Sequence, residues 1–199
     1  MTRKVFLILL ALVLALSVGL VGCAASPSGE QEEEEDEEWD LCVDFEELPL
    51  AEEYHVGEAF TSCGFVIHVE EFQWTPPPHE EWTDTGYTSV QDGEDAGGSG
   101  QDMFVNNVNL YFRRPPDLLE GLSLLYGEYG GNINVQVNDE FVNVDDFEDL
   151  PASMGGVDVT VSDFGSGKGR LTLSKGKIGS FKIGGQELFI DDVCLTFAS

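Results

Sequence analysis

The stretch ELFIDDVCLTF, Glu187 to Phe197, decides how the chain is read. It alternates apolar and polar residues as a half-buried strand does, yet it holds two adjacent aspartates and a cysteine. Counted back from Phe197, the alternation puts Asp191 on the same face as Val193 and Leu195, the apparent core side. A carboxylate on that face has to be paired, hydrogen-bonded or metal-bound.

Upstream, the same period of two recurs. Val108, Leu110 and Phe112 alternate with polar residues, as do Leu122, Leu124 and Tyr126, then Ile133, Val135 and Val137, and Val157, Val159 and Val161. Leu171 and Leu173 and then Phe181 and Ile183 continue the pattern, and LCVDFE and FVIHVEEF (Leu41–Glu46 and Phe65–Phe72) begin it. Turn signals separate these runs at Gly130-Gly131, Asn138-Asp139, Gly155-Gly156, Gly165–Gly169 and Gly184-Gly185. No helical stripe of ten residues occurs, and the single helical candidate is a turn around Asp146–Ala152. The spacing predicts an all-β, antiparallel β-sandwich of jelly-roll type with about ten strands. From Gln73 to Asp102 the pattern lapses into a long loop, divided by a short strand near Tyr87–Val90.

The chain opens differently. Arg3 and Lys4 precede twelve apolar residues, Val5–Leu16, and then Leu20-Val21-Gly22-Cys23. This is too short for a membrane span and has the order of an export signal. Its end resembles a bacterial lipobox, which implies cleavage before Cys23 and lipidation of that residue at a membrane. Ala24 in the next position implies outer-membrane or cell-surface placement. The acidic run to Glu38 reads as a disordered tether reaching at most about 50 Å. The expected organisation is therefore a signal peptide over 1–22, a lipidated tether over 23–38 and one sandwich domain over 39–199. Thirty-eight acidic against nine basic residues give a net charge of −29, which excludes nucleic acid as a partner.

Catalytic motifs fail on inspection. GSGKG at Gly165 lacks the first glycine and the Ser/Thr of a phosphate loop, and a strand follows it, so it reads as a hairpin turn. HEEWT at His79 lacks a second histidine, and His55, His68 and His79 share no ligand spacing. DGEDAGGSGQDM places Ala96 and Met103 where an EF-hand needs oxygen ligands. With Cys23 assigned to lipid, three exported cysteines allow one bridge and one spare thiol. Cys42 with Cys194 would join the first and last strands; Cys42 with Cys63 is the alternative.

CVDFEEL at Cys42 and ELFIDDVCLTF at the end resemble the terminal strands of galactose-binding and carbohydrate-binding-module sandwiches. FVNNVNLYF, GLSLLYGEYGGNINVQVN and IGGQELFIDDVC resemble a group of exported bacterial proteins, and the likeness covers most of 41–197. The resemblance implies a structural calcium between first and last strands, with Glu46 and Asp191 as ligands and Asp192 as substitute. It also implies a non-catalytic glycan or cell-surface recognition module. Trp74, Trp82 and Tyr87 are its candidate stacking platform. The amide face containing Asn107, Asn109, Asn132, Asn134 and Gln136 is a second candidate ligand surface. The alternatives are a protein-interaction or structural lipoprotein, and a jelly-roll polysaccharide hydrolase or lyase.

Overall fold

The computed structural model describes residues 39–75, 80–113 and 119–198. The expected export signal, Cys23, the expected acidic tether and His79 lie outside them.

Two antiparallel sheets face each other across one core. The first sheet contains β1 (Leu41–Val43), β2 (Glu53–His55), β6 (Tyr87–Asp92), β7 (Gln101–Asn106), β9 (Leu119–Glu128), β12 (Ser153–Met154), β13 (Val157–Gly165), β14 (Lys168–Ser174) and β16 (Leu188–Phe197). Its order is β12-β13-β14-β9-β16-β7-β6-β2, with β1 also on β16. The second runs β11-β10-β15-β8-β4-β3, with β5 added to β4. Its strands are β3 (Ala59–Ser62), β4 (Phe65–Thr75), β5 (Glu81–Thr83), β8 (Val108–Arg113), β10 (Ile133–Val137), β11 (Glu140–Val144) and β15 (Ser180–Gly185). The antiparallel sandwich expected from the alternation is the fold observed.

Period-two positions from both sheets build the core. Leu122, Leu124 and Leu171 of the first sheet and Ile67, Leu110 and Ile183 of the second are all fully buried. Each such side chain contributes about 1.5–3 kcal/mol through removal from water. The turn around Asp146–Ala152 is a single 3-10 turn, Phe147–Asp149, and GSGKG is the β13–β14 hairpin turn. The interval Gln73–Asp102 is not one long loop. It holds the short strand expected near Tyr87–Val90, which is β6, together with the end of β4, β5 and the start of β7, whose polar residues hid their alternation.

The register of β16 explains its odd sequence. Residues 188–190 pair with β7, whereas Val193, Cys194 and Leu195 pair with Val43, Cys42 and Leu41. One edge of β16 thus changes neighbour at Asp191-Asp192, and the pairing with β9 on its other edge is irregular there. Asp192 takes φ 45 in this bulge, a left-handed conformation that aspartate tolerates better than most residues. The bulge shifts the phase. Leu188 and Ile190 enter the core before it, and Val193 and Leu195 after it. The expectation that Asp191 shares the core face is therefore corrected: Asp191 alternates with Ile190 and lies on the opposite face, though still only 2 % exposed.

On the second sheet, the outward amides hold the chain itself. Asn109, Asn143 and Asn132 donate from Nδ2 to the carbonyls of Glu71, Gln73 and Trp74, at 2.6, 3.0 and 3.2 Å. The far end of β4 is thus laid across the outer face and carries β5 with it. Asn143 also donates to Oδ1 of Asn132 and of Asn134, at 2.6 and 2.7 Å. Asn143→Ala would orphan these acceptors, and chemical denaturation should register a loss of about 1–3 kcal/mol. Tryptophan emission from this arm should shift to the red below the main transition.

Candidate functional site

Cys42 and Cys194 form a disulfide, with Cα atoms 3.9 Å apart. The alternative pairing of Cys42 with Cys63 is thereby overturned. Cys63 occupies the β3–β4 turn at φ 48 rather than a buried strand position.

The break in β16 is roofed by residues 93–100, which connect β6 to β7 and close on themselves through Gly93 N–H to the Gly100 carbonyl. Glycines make this roof possible. A Cβ on Gly98 would stand 1.9 Å from Asp191 Oδ2, and one on Gly100 1.9 Å from Glu46 Oε1. The two carboxylates therefore occupy the space that side chains would fill. Glu46 Oε1 also accepts from Gln101 N–H at 2.6 Å, and Asp191 Oδ1 from Asp192 N–H at 2.7 Å. Asp102, 1 % exposed, accepts at Oδ2 from the Asp95 and Ala96 amides, while its Oδ1 has no partner among the described residues. Gln101 Oε1 is likewise buried and unpaired.

Burial, then the charge of Asp192, pushes the Asp191 carboxyl up to about 8, with smaller contributions from Asp102 and Glu46. Burial also raises Asp102 and Asp192, the latter further raised by Asp44 but held back by Arg170. This seam between first and last strands needs a countercharge: a proton or a cation. The Asp102 Oδ1 and Gln101 Oε1 oxygens are of the hard type that such a cation takes. The three seam carboxylates Glu46, Asp102 and Asp191 do not all converge within 4.8 Å, so in this geometry one ion does not touch all three, whereas Asp44, Glu47 and Cys63 do converge. Asp102 was missed in the sequence because it belongs to a segment tested only as a self-contained EF-hand.

The expected stacking platform is divided between two sheets. Trp74 stands edge-on to Phe72, and Trp82, 46 % exposed, lies 6.5 Å from Phe141 over a cleft lined by Glu70 and Lys182. Lys182 is paired with Glu70 and lies over the Tyr111 ring. Tyr87 instead sits on β6, on the outer face of the first sheet. There Phe104 lies 5.9 Å from Tyr87 and 4.9 Å from Phe189, and Phe189 lies 5.7 Å from Tyr129. His55 flanks Tyr87 at 6.4 Å. This row of rings was not anticipated. Asn109 is fully buried and committed to Glu71, and Asn107 is a turn residue at φ 56 bonded to Asn106. Neither amide is presented to solvent as a ligand face. His68 faces Tyr111 on the second sheet, far in register from His55 on the first.

No protein-family model, no characterised protein and no solved structure matches the chain.

Proposed function

We propose that the protein is a lipid-anchored, exported recognition module that binds glycans through its first sheet and does not turn them over. The observation that carries this reading is the ring row Tyr87–Phe104–Phe189–Tyr129 on the outer face of the first sheet. Tyr129 is 47 % exposed and the other three are half-buried, so ring surface is kept in contact with water on a strongly acidic molecule. Flat apolar rings of this kind suit the C–H faces of sugars. Lipid on Cys23 and the acidic tether would hold this face away from the membrane. A calcium ion held by two of the seam carboxylates Glu46, Asp102 and Asp191, with Asp192 beside it and carbonyls or water completing its shell, would fix the β6–β7 loop against the last strand without chemistry of its own.

Glycan-array screening followed by calorimetry tests the reading. Tyr129→Ala should weaken glycan binding about tenfold, the equivalent of one stacking contact, while lowering the melting temperature by only a few degrees through loss of the hydrogen bond from its hydroxyl to the Asp95 carbonyl. Trp82→Ala on the other sheet should leave it unaltered. Silence across polysaccharides with retained capture of a surface protein would replace glycan by protein recognition. Release of reducing ends by the purified protein would make it an enzyme.

A further inference from the structure

The ring row does not end in open surface. Tyr129, its last member, also lines a cavity of about 330 Å³ at the end of the sandwich, with Tyr126, Glu128, Asp146, Glu148 and Asp163. Among the described residues, no lysine or arginine lines it. Lys168, next along from Gly167 in its wall, is turned away to the Glu94 carbonyl.

This is more than an acidic patch. Tyr126 is 2 % exposed and stacked on Phe147 at 3.9 Å, and its hydroxyl lies over Gly169, where a Cβ would come within 2.4 Å. That hydroxyl makes no hydrogen bond to any described residue, although Glu148, Asp163 and Glu128 surround it closely enough for their charge to raise it well above the ordinary phenol range, after burial. Glu128 is held in place by the Phe147 amide at 3.2 Å. Its carboxyl is pushed up to about 7 by burial and by Asp146 and Glu148. The cavity thus combines two tyrosine walls, the hydroxyl of a tyrosine 2 % exposed that has no partner among the described residues, and carboxylates with no described cation to answer them.

A divalent ion would use the oxygens and leave the rings idle. A primary ammonium uses both, through N–H donors to carboxylates and attraction to ring faces. We propose that this end pocket is an ammonium-binding subsite, and that the glycan lying on the ring row carries free amino groups, as in a glucosamine polymer. The inference rests on the glycan-recognition reading and names its ligand class.

The test compares glucosamine hexamer with N-acetylglucosamine hexamer by calorimetry at physiological salt, where the diffuse attraction of an acidic protein for a polycation is screened. The amino hexamer should bind at least about tenfold tighter, as expected for charge-assisted hydrogen bonds. Glu148→Gln with Asp163→Asn, both exposed, should bring the two hexamers to within about threefold. A charge-matched control, Glu52→Gln with Asp139→Asn, should leave the preference intact. Equal binding of the two hexamers overturns the subsite while glycan recognition stands. An equal loss in the control also overturns it, because the preference would then belong to the overall field. Calcium binding at the pocket that free glucosamine does not displace overturns it as well. No binding of either hexamer, nor of any other glycan, overturns both readings.

Discussion

A Cys42→Ala, Cys194→Ala double variant is expected to lose on the order of 2–5 kcal/mol of stability and to melt roughly 10 °C below the parent. The bridge spans 152 residues, so in the loop-entropy picture it restricts almost the whole unfolded domain, with an upper figure of about 5 kcal/mol. That is a large share of the 5–15 kcal/mol typical of a domain. A local effect adds to it. β1 is three residues long and pairs with β16 alone. Beyond the bridge it is secured by Asp40 N–H to the Leu195 carbonyl and by Asp40 Oδ2, which accepts from Phe197 N–H at 2.7 Å. Phe45, fully buried, and Glu46 follow directly, so fraying of β1 would loosen both core and seam. Denaturant unfolding should also show a steeper slope, because the unfolded state without the bridge exposes more surface. A double variant melting within a degree or two of the parent would leave the bridge without structural weight.

The sandwich was legible because its signal is local. Leu122, Leu124 and Tyr126 sit two apart, and no knowledge of their partners is needed to see that they share a face. The bulge at Asp192 is also written in the sequence, in a spacing that unbroken alternation does not allow. Ile190 and Val193 are three apart and cannot face one core in an unbroken strand; an extra residue between them restores the phase. The aromatic row is another matter. Tyr87, Phe104, Tyr129 and Phe189 become neighbours only through the β6-β7-β16 register and the turn after β9. Nothing in the hundred residues separating Tyr87 from Phe189 announces it. The amide-rich face was visible as a row, but its occupant was assumed to come from outside, whereas the extension of β4 fills it. The seam was half legible. Glu46 and Asp191 were singled out through resemblance, while Asp102 and the two glycines that admit the carboxylates come from a loop whose partner strand lies ninety residues away.

Without divalent cation, the domain should be more stable at pH 5 than at pH 8, the reverse of ordinary acid denaturation. The Asp191 carboxyl has an ordinary value of 3.8 and is raised to about 8 in the folded state. Between those limits the folded state keeps a proton that the unfolded state has released, so stability falls as pH rises through the window and levels off above about 8. Glu128, raised to about 7, adds a loss of the same sign that ends about one unit lower. Asp102 and Asp192 shift in the same direction. Together they should cost on the order of a few kcal/mol across the range, read as a falling melting temperature in chelator-treated protein. Asp191→Asn supplies a neutral side chain at every pH and should flatten the slope, leaving the part due to Glu128. Millimolar calcium should flatten it by a different route, by replacing the proton as countercharge, and should do so in the parent but not in Asp191→Asn. A melting temperature that rises from pH 5 to pH 8 in chelator would show that Asp191 is ionised as it folds. A falling one that calcium leaves unchanged would assign the seam to a proton alone. Either outcome says how the last strand is held at Asp191-Asp192, where it passes from β7 to β1 and its ladder with β9 is irregular.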